Sequence, residues 1–312
     1  MLISASRRTD IPTYYSEWFY NRIHGGYVLV RNPMNAHQIG RVSLSPDVVD
    51  GIVFWTKNPT PMLDRLDELK DYNYYFQFTL NPYSKDIEPN IPSKNDVIIP
   101  TFLKLSEAIG ADRVIWRYDP IILSEKYTLE YHLEYFEKLA HILASHTRKC
   151  TFSFLDLYKN TEKNVRSLNL RPISSEDMIT LAKGFHEIAL GYGLKLDTCA
   201  EQIDLSDFGI SHAHCIDKNI FEQFCGCPLK IDKDKNQRPE CGCVASIDIG
   251  AYNTCVNGCY YCYANFNSKA AATNYAKHDP SSPLLFGTVG DADVIKDRAM
   301  SSCKVLQQQL LI

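Results

Sequence analysis

The chain has 312 residues, 45% of them hydrophobic, and a formal net charge of −4. That is enough apolar material for one large α/β domain or two small ones. The mild acidity argues against a broad nucleic-acid-binding surface, and no run of about 18 apolar residues exists to span a bilayer. The N-terminus, Met-Leu-Ile-Ser-Ala-Ser-Arg-Arg, has too short an apolar run for a signal peptide. The chain is therefore expected in the reducing cytoplasm, where its 11 cysteines point to metal or catalysis rather than disulfides.

In chain order, short apolar or β-branched runs predict strands at Leu2–Ser6, Tyr27–Val30, Gly51–Trp55, Tyr74–Thr79, Arg113–Trp116, Cys150–Leu155, Gly193–Leu196 and Val244–Ile249. Apolar residues at three-to-four spacing predict helices over Ser16–His24, Pro61–Tyr72, Ser93–Ile109, Thr128–Ser145 and Ser174–Tyr192. Ser93 and Ser174 stand where helix caps are expected. The stretch Tyr27–Ser45 also reads as a hairpin turning around Asn32-Pro33-Met34-Asn35. Strands alternating with helices imply parallel βα units, and their number suggests a (β/α) barrel, TIM-like or partial. Residues 1–210 would carry the barrel units and 211–312 a cysteine-rich region completing the same barrel.

Polar residues follow most of these strands: Ser6-Arg7-Arg8-Thr9-Asp10, Thr56-Lys57-Asn58-Pro59, Leu80-Asn81-Pro82-Tyr83, Arg117-Tyr118-Asp119-Pro120, Asp156-Leu157-Tyr158 and Asp197-Thr198-Cys199-Ala200-Glu201. Asn-Pro and Asp-Pro pairs serve turns wherever they occur. In a barrel, however, all strands end at one face and functional loops gather there. Arg7, Arg8, Asp10, Lys57, Arg117, Asp119 and Glu201 are the candidates for a binding or catalytic mouth.

The strongest signal lies near the C-terminus. Cys255-Val-Asn-Gly-Cys259-Tyr-Tyr261-Cys262 is a C-x3-C-x2-C triple that random placement of 11 cysteines would produce about 0.01 times per chain. Three thiolates on one loop suit an iron–sulfur cluster with one iron left open. A zinc loop is the alternative, although zinc favours paired C-x2-C or C-x4-C knuckles. Cys199, Cys215, Cys225, Cys227, Cys241 and Cys243 lie upstream, and His212 and His214 flank them. A second cluster or a zinc site built from Cys199, Cys215, Cys241 and Cys243 is the preferred choice among these. Cys150 and Cys303 are isolated and read as free thiols.

The triple resembles the signature loop of radical S-adenosylmethionine (SAM) enzymes. The resemblance implies a [4Fe-4S] cluster on Cys255, Cys259 and Cys262, SAM on the open iron, Tyr261 beside the adenine, and an electron donor such as flavodoxin or ferredoxin. The whole chain also resembles a bacterial domain-of-unknown-function family. That likeness rests on Ile3-Ser-Ala-Ser-Arg-Arg-Thr-Asp10, Phe54-Trp-Thr-Lys-Asn-Pro59, Arg117-Tyr-Asp-Pro120, Lys233-Asp-Lys-Asn-Gln-Arg238 and Asp248-Ile-Gly-Ala-Tyr-Asn-Thr-Cys255 running into Tyr261-Cys-Tyr-Ala-Asn265.

Two departures stand out. Radical SAM enzymes carry the loop after the first strand, whereas here it is near the C-terminus. Their Gly-Gly-Glu-like segment is also missing, since Gly25-Gly26 runs into Tyr27. A circularly permuted barrel would account for the first departure. Val244–Ile249 would then lie beside Leu2–Ser6, with Ser4, Ser6 or Asp10 where the SAM amino group is held. The expected function is an iron–sulfur protein, a radical-SAM-like enzyme acting on an unknown small substrate. The alternatives are an electron-transfer or redox-sensing protein without SAM chemistry, and a zinc-stabilised barrel.

Overall fold

A computed structural model describes residues 1–156 and 159–305. Leu157 and Tyr158 of the sixth expected strand end, and residues 306–312 of the expected C-terminal region, lie outside the described residues. The chain opens with β1 (Leu2–Ala5), the short α1 (Ile11–Tyr14) and α2 (Ser16–Gly25). The expected hairpin follows as β2 (Tyr27–Asn32) and β3 (Asn35–Ser43), paired antiparallel. Then come β4 (Gly51–Thr56), β5 (Tyr74–Thr79), α3 (Ile99–Ile109), β6 (Val114–Ile121), α4 (Leu129–Leu143) and β7 (Lys149–Phe154). The remainder is α5 (Lys159–Val165), α6 (Ser175–Gly191), β8 (Lys195–Thr198), β9 (Ser211–His212), α7 (Lys218–Cys225), β10 (Ile247–Asp248), α8 (Ser268–Tyr275) and β11 (Val294–Asp297). The helix expected over Pro61–Tyr72 is a tighter 3-10 stretch, Thr60–Leu69, and Lys94–Ile98 forms a π-turn ahead of α3.

Eight strands form one parallel sheet in the order β10-β1-β4-β5-β6-β7-β8-β9. Among the described residues its edge strands, β9 and β10, do not pair with each other. The expected barrel therefore stands as an eight-stranded parallel sheet in a mixed α/β fold. β10 lies directly beside β1, Ile3 opposite Ile247 and Ser4 opposite Asp248. That is the adjacency a permuted chain requires. The C-terminal β11 in turn pairs with β3 in a small second sheet. No helix among the described residues is long and apolar enough to cross a membrane.

The central strands are apolar on both faces because both faces are covered. Ile3, Ile52, Phe54, Phe76 and Trp116 point into the larger core with the helices. Their neighbours Leu2, Val53, Tyr75 and Ile115 point the other way, onto Phe221 of α7 and Val244. Gly51 is required there, since a Cβ on it would come within 2.0 Å of the Phe221 ring. Local signals set the helix starts. Ser174 and Asp177 form a reciprocal capping box on α6, and Thr128 caps α4. Gly26 ends α2 at φ 73°.

Candidate active site

Because the eight strands are parallel, their C-terminal ends share one edge of the sheet, and a cavity of about 440 Å³ opens there. Residues that follow β1, β4, β7, β8, β9 and β10 line it, with Arg117, Asp119 and Pro120 from the end of β6. Arg7, Arg8, Asp10, Lys57, Arg117, Asp119, Ser6, Tyr261, Cys259 and Cys262 are among them, and so are Cys199, Cys215, Cys241 and Cys243. Most of the candidates read from the sequence therefore meet in one place. Three do not line it. Ser4 is buried beneath, Cys255 is buried behind its loop, and Glu201 is buried with its carboxylate accepting from the Phe154 N–H at 2.9 Å. Burial raises Glu201 to about 7.

Ser4 and Ser6 have a different partner from the one expected of them. Both hydroxyls donate to the Asp248 carboxylate, at 2.7 and 2.6 Å. The same carboxylate accepts from the Arg7 and Gly250 N–H groups and from the Arg8 guanidinium. Arg8 is thereby committed to a structural ion pair at the cavity wall. Asp248 ties β10 to the turn after β1 and so positions the loop that follows. Sequence reasoning missed it, although a charged residue inside the apolar run Val244–Ile249 was the available signal.

Asp10 joins three segments. It caps α1 and accepts from Thr13 N–H, Thr56 Oγ1, Lys57 N–H and Asn257 Nδ2, at 2.7 to 3.1 Å. Burial nevertheless raises its pKa. Through Asn257 it holds the cysteine loop against the ends of β1 and β4. Beneath the loop, Glu88 is buried between two ammonium groups, Lys57 and Lys94, each at 2.7 Å. It also accepts from the Tyr261 hydroxyl. Burial opposes its ionisation, but the two lysines prevail and bring it down to about 2. Lys57 also lies 5.5 Å from the centre of the Tyr261 ring. Glu88 lies in an irregular loop without periodicity, so no sequence signal marked it, and Lys94 opens the helical stretch after it, where only a helix start was expected.

In the cysteine loop the backbone amides of Asn257, near Cys255, and of Ala264 and Asn265, near Cys262, act electrostatically in favour of the thiolate. Burial raises all three thiols, Cys259 to about 12, and Lys57 opposes the rise at Cys259. On the other wall the second set forms a row. Cys199 and Cys215 Sγ are 3.5 Å apart, and electrostatic coupling runs on from Cys215 to Cys243 and from Cys243 to Cys241. Arg117 Nη1 donates to Cys215 Sγ at 3.0 Å, while its Nε donates to Asp119 at 3.0 Å. Among the described residues, no group of three or more His, Cys, Asp or Glu side chains is arranged to hold a metal ion. His212 and His214 lie in exposed positions and do not line the cavity.

Residues 2–264 match the model of a family described as a domain of unknown function, DUF1848. No curated protein matches the chain.

Proposed function

The chain belongs to the DUF1848 family, whose function is unknown, and on that premise we propose that it is an iron–sulfur protein acting as a radical-SAM-like enzyme. Cys255, Cys259 and Cys262 would hold the cluster. The observation that carries the reading is placement. The loop with the open-iron spacing follows β10, next to β1, and two of its three thiols face a cavity at the C-terminal ends of eight parallel strands. In open or closed parallel sheets, reactive groups gather at that edge.

The residues present fit the group. Each thiolate of a cuboidal cluster ligates a different iron, so the three need not surround a single point. The Asn257, Ala264 and Asn265 amides and the Lys57 cation partly offset the rise that burial imposes on these thiols, and metal binding would displace the remaining protons. When bound, such a cluster supplies the electron that cleaves SAM, and the resulting radical abstracts hydrogen from substrate.

The protein's own part is holding and excluding. Asp10 and Asn257 fix the loop, and Asp248 fixes the strand before it. The Tyr261 phenol is anchored by Glu88 and Asn81, which turns its ring toward the cavity as one wall of an adenine-sized slot. Arg117 and Asp119 pair with each other at the far side and present a polar floor for substrate. Ser4 and Ser6 already serve Asp248, and Asp10 already accepts four hydrogen bonds, so the SAM amino group would be met by backbone carbonyls.

The four thiols on the opposite wall favour a second reading, an electron-transfer or redox-sensing protein without SAM chemistry. One experiment separates the two. Protein is reconstituted anaerobically with iron and sulfide, and the reduced sample is followed by electron paramagnetic resonance with and without SAM. A signal that requires Cys255, Cys259 and Cys262 and changes shape on adding SAM supports the first reading. A signal indifferent to SAM leaves the second, and wild type that takes up no iron or sulfide refutes both.

A further inference from the structure

From the row of four thiols we propose a second metal centre in the same cavity, held by Cys199, Cys215, Cys241 and Cys243 as thiolates, which clasps the two edges of the parallel sheet. The proposal is independent of the chemistry at the cysteine loop.

Chain position makes it a clasp. Cys199 directly follows β8, and Cys215 follows the edge strand β9. Cys241 and Cys243 lie a few residues before β10, the opposite edge. These edges do not pair as strands among the described residues, and here they already approach. Val244 N–H donates to the Ile216 carbonyl at 3.2 Å, one residue beyond Cys243 on one side and Cys215 on the other. All four cysteines line the cavity at this seam.

The surroundings suit thiolate rather than thiol. Arg117 donates to Cys215 Sγ at 3.0 Å, and the Ile216 N–H reaches Cys243 Sγ at 3.4 Å. The Arg7 guanidinium lies beside Cys215 and Cys243, and its Nη2 is buried without a hydrogen-bond partner among the described residues. The buried Arg117 and the half-buried Arg7 set two guanidiniums beside these cysteines, a setting suited to a centre carrying net negative charge, as four thiolates around a divalent ion or a cluster do.

As they stand, Cys199 and Cys215 share a hydrogen bond and the four sulfurs surround no common point, which is the packing of unligated thiols. Binding exchanges each S–H proton, released to solvent, for a sulfur–metal bond. The sulfur contact of 3.5 Å is close to the edge of a zinc tetrathiolate, about 3.8 Å for a Zn–S bond of about 2.3 Å. The C-x-C spacing of Cys241 and Cys243 falls outside the usual zinc knuckle and suits a cluster. The shared chemistry is a soft metal held by four thiolates, and metal analysis distinguishes the two forms.

The test uses the full chain prepared anaerobically. Iron, sulfide and zinc are measured per chain in wild type, Cys255/Cys259/Cys262→Ala and Cys241/Cys243→Ser. In parallel, metal-free wild type under reducing conditions is titrated with cobalt(II) and the thiolate-to-cobalt absorption is recorded. The triple alanine variant is expected to retain one centre per chain, either iron with sulfide or zinc. The double serine variant should lose that centre, and chelation should lower the thermal midpoint of the triple variant. If the double serine variant does not fold, the triple variant decides: metal retained supports the centre, and metal absent overturns it. Failure of metal-free wild type to develop thiolate–cobalt absorption overturns it as well. So does a Cys199–Cys215 disulfide found by mass in protein isolated without oxidant, since that bond would account for the sulfur contact by itself. A triple variant that keeps the full metal content of wild type would speak against the loop reading alone.

Discussion

Replacing Glu88 by Gln removes one negative charge from beneath the cysteine loop and changes the shape of the side chain little. Glu88 is 2% exposed, so solvent screens its pairs with Lys57 and Lys94 weakly. Its fall from the ordinary 4.5 to about 2 corresponds, at 1.36 kcal/mol per pH unit, to about 3 kcal/mol of stability at neutral pH. A carboxylate whose folded pKa is depressed gives that stability in full above 4.5 and loses it as pH falls through about 2. The same relation leaves about 1 kcal/mol at pH 3. In urea unfolding at pH 7, Glu88→Gln is expected to be about 3 kcal/mol less stable than wild type, and the gap should narrow to roughly half or less at pH 3. Adding Lys94→Met should recover part of the loss, because one uncompensated buried ammonium leaves with it. A gap below about 1 kcal/mol at pH 7, or one that does not change with pH, would refute the reasoning.

Gly51→Ala should cost at least about 2 kcal/mol, because its Cβ would meet the Phe221 ring at 2.0 Å. Adding Phe221→Ala should cost less than the two single changes together, which denaturation of all three variants would show. His132 is buried in the core between the Tyr118 hydroxyl and the Ile122 carbonyl, and burial lowers it from 6.5 to about 4. Its neutral form is the one the fold accepts, so this contribution is complete above 6.5 and is lost as pH falls through about 4, to the extent of about 3 kcal/mol. His132→Gln should flatten stability against pH between 6.5 and 4, and an unchanged slope would count against it. Cys255/Cys259/Cys262→Ala should abolish any SAM-dependent change in the resonance spectrum while leaving the far-ultraviolet circular dichroism near that of wild type.

Much of the sheet was legible because buried parallel strands write themselves as unbroken apolar runs. Gly51–Trp55 and Tyr74–Thr79 appear within a residue of β4 and β5. The capping serines 93 and 174 act where their side chains can reach an N–H three residues on. The polar strand ends also converged, since a parallel sheet leaves them no other edge. What escaped was set by tertiary contact. β9 has two residues and no pattern of its own, and β11 is exposed along its length. α7 has only eight residues, too few for its apolar positions to set a clear period, until Phe221 is seen against Gly51. Closure of the sheet into a ring depends on how β9 and β10 meet, and two-residue strands carry almost no sequence trace of that. Within the site, Asp248 and Glu88 went unmarked because their importance lies in partners far along the chain.

The pairing of β10 with β1 has a consequence for synthesis. Ser4 and its partner Asp248 are separated by 244 positions. At 5–20 residues per second, translation leaves about 12–50 s between the emergence of the first strand and that of its neighbour. Throughout that interval β1 can pair only with β4, and its other backbone edge waits, a template for stray pairing with another nascent chain. The segment bearing Cys255, Cys259 and Cys262 arrives later still. A nascent chain will therefore hold one wall of the cavity long before the other, and inserting anything between the two walls is the last act of its maturation.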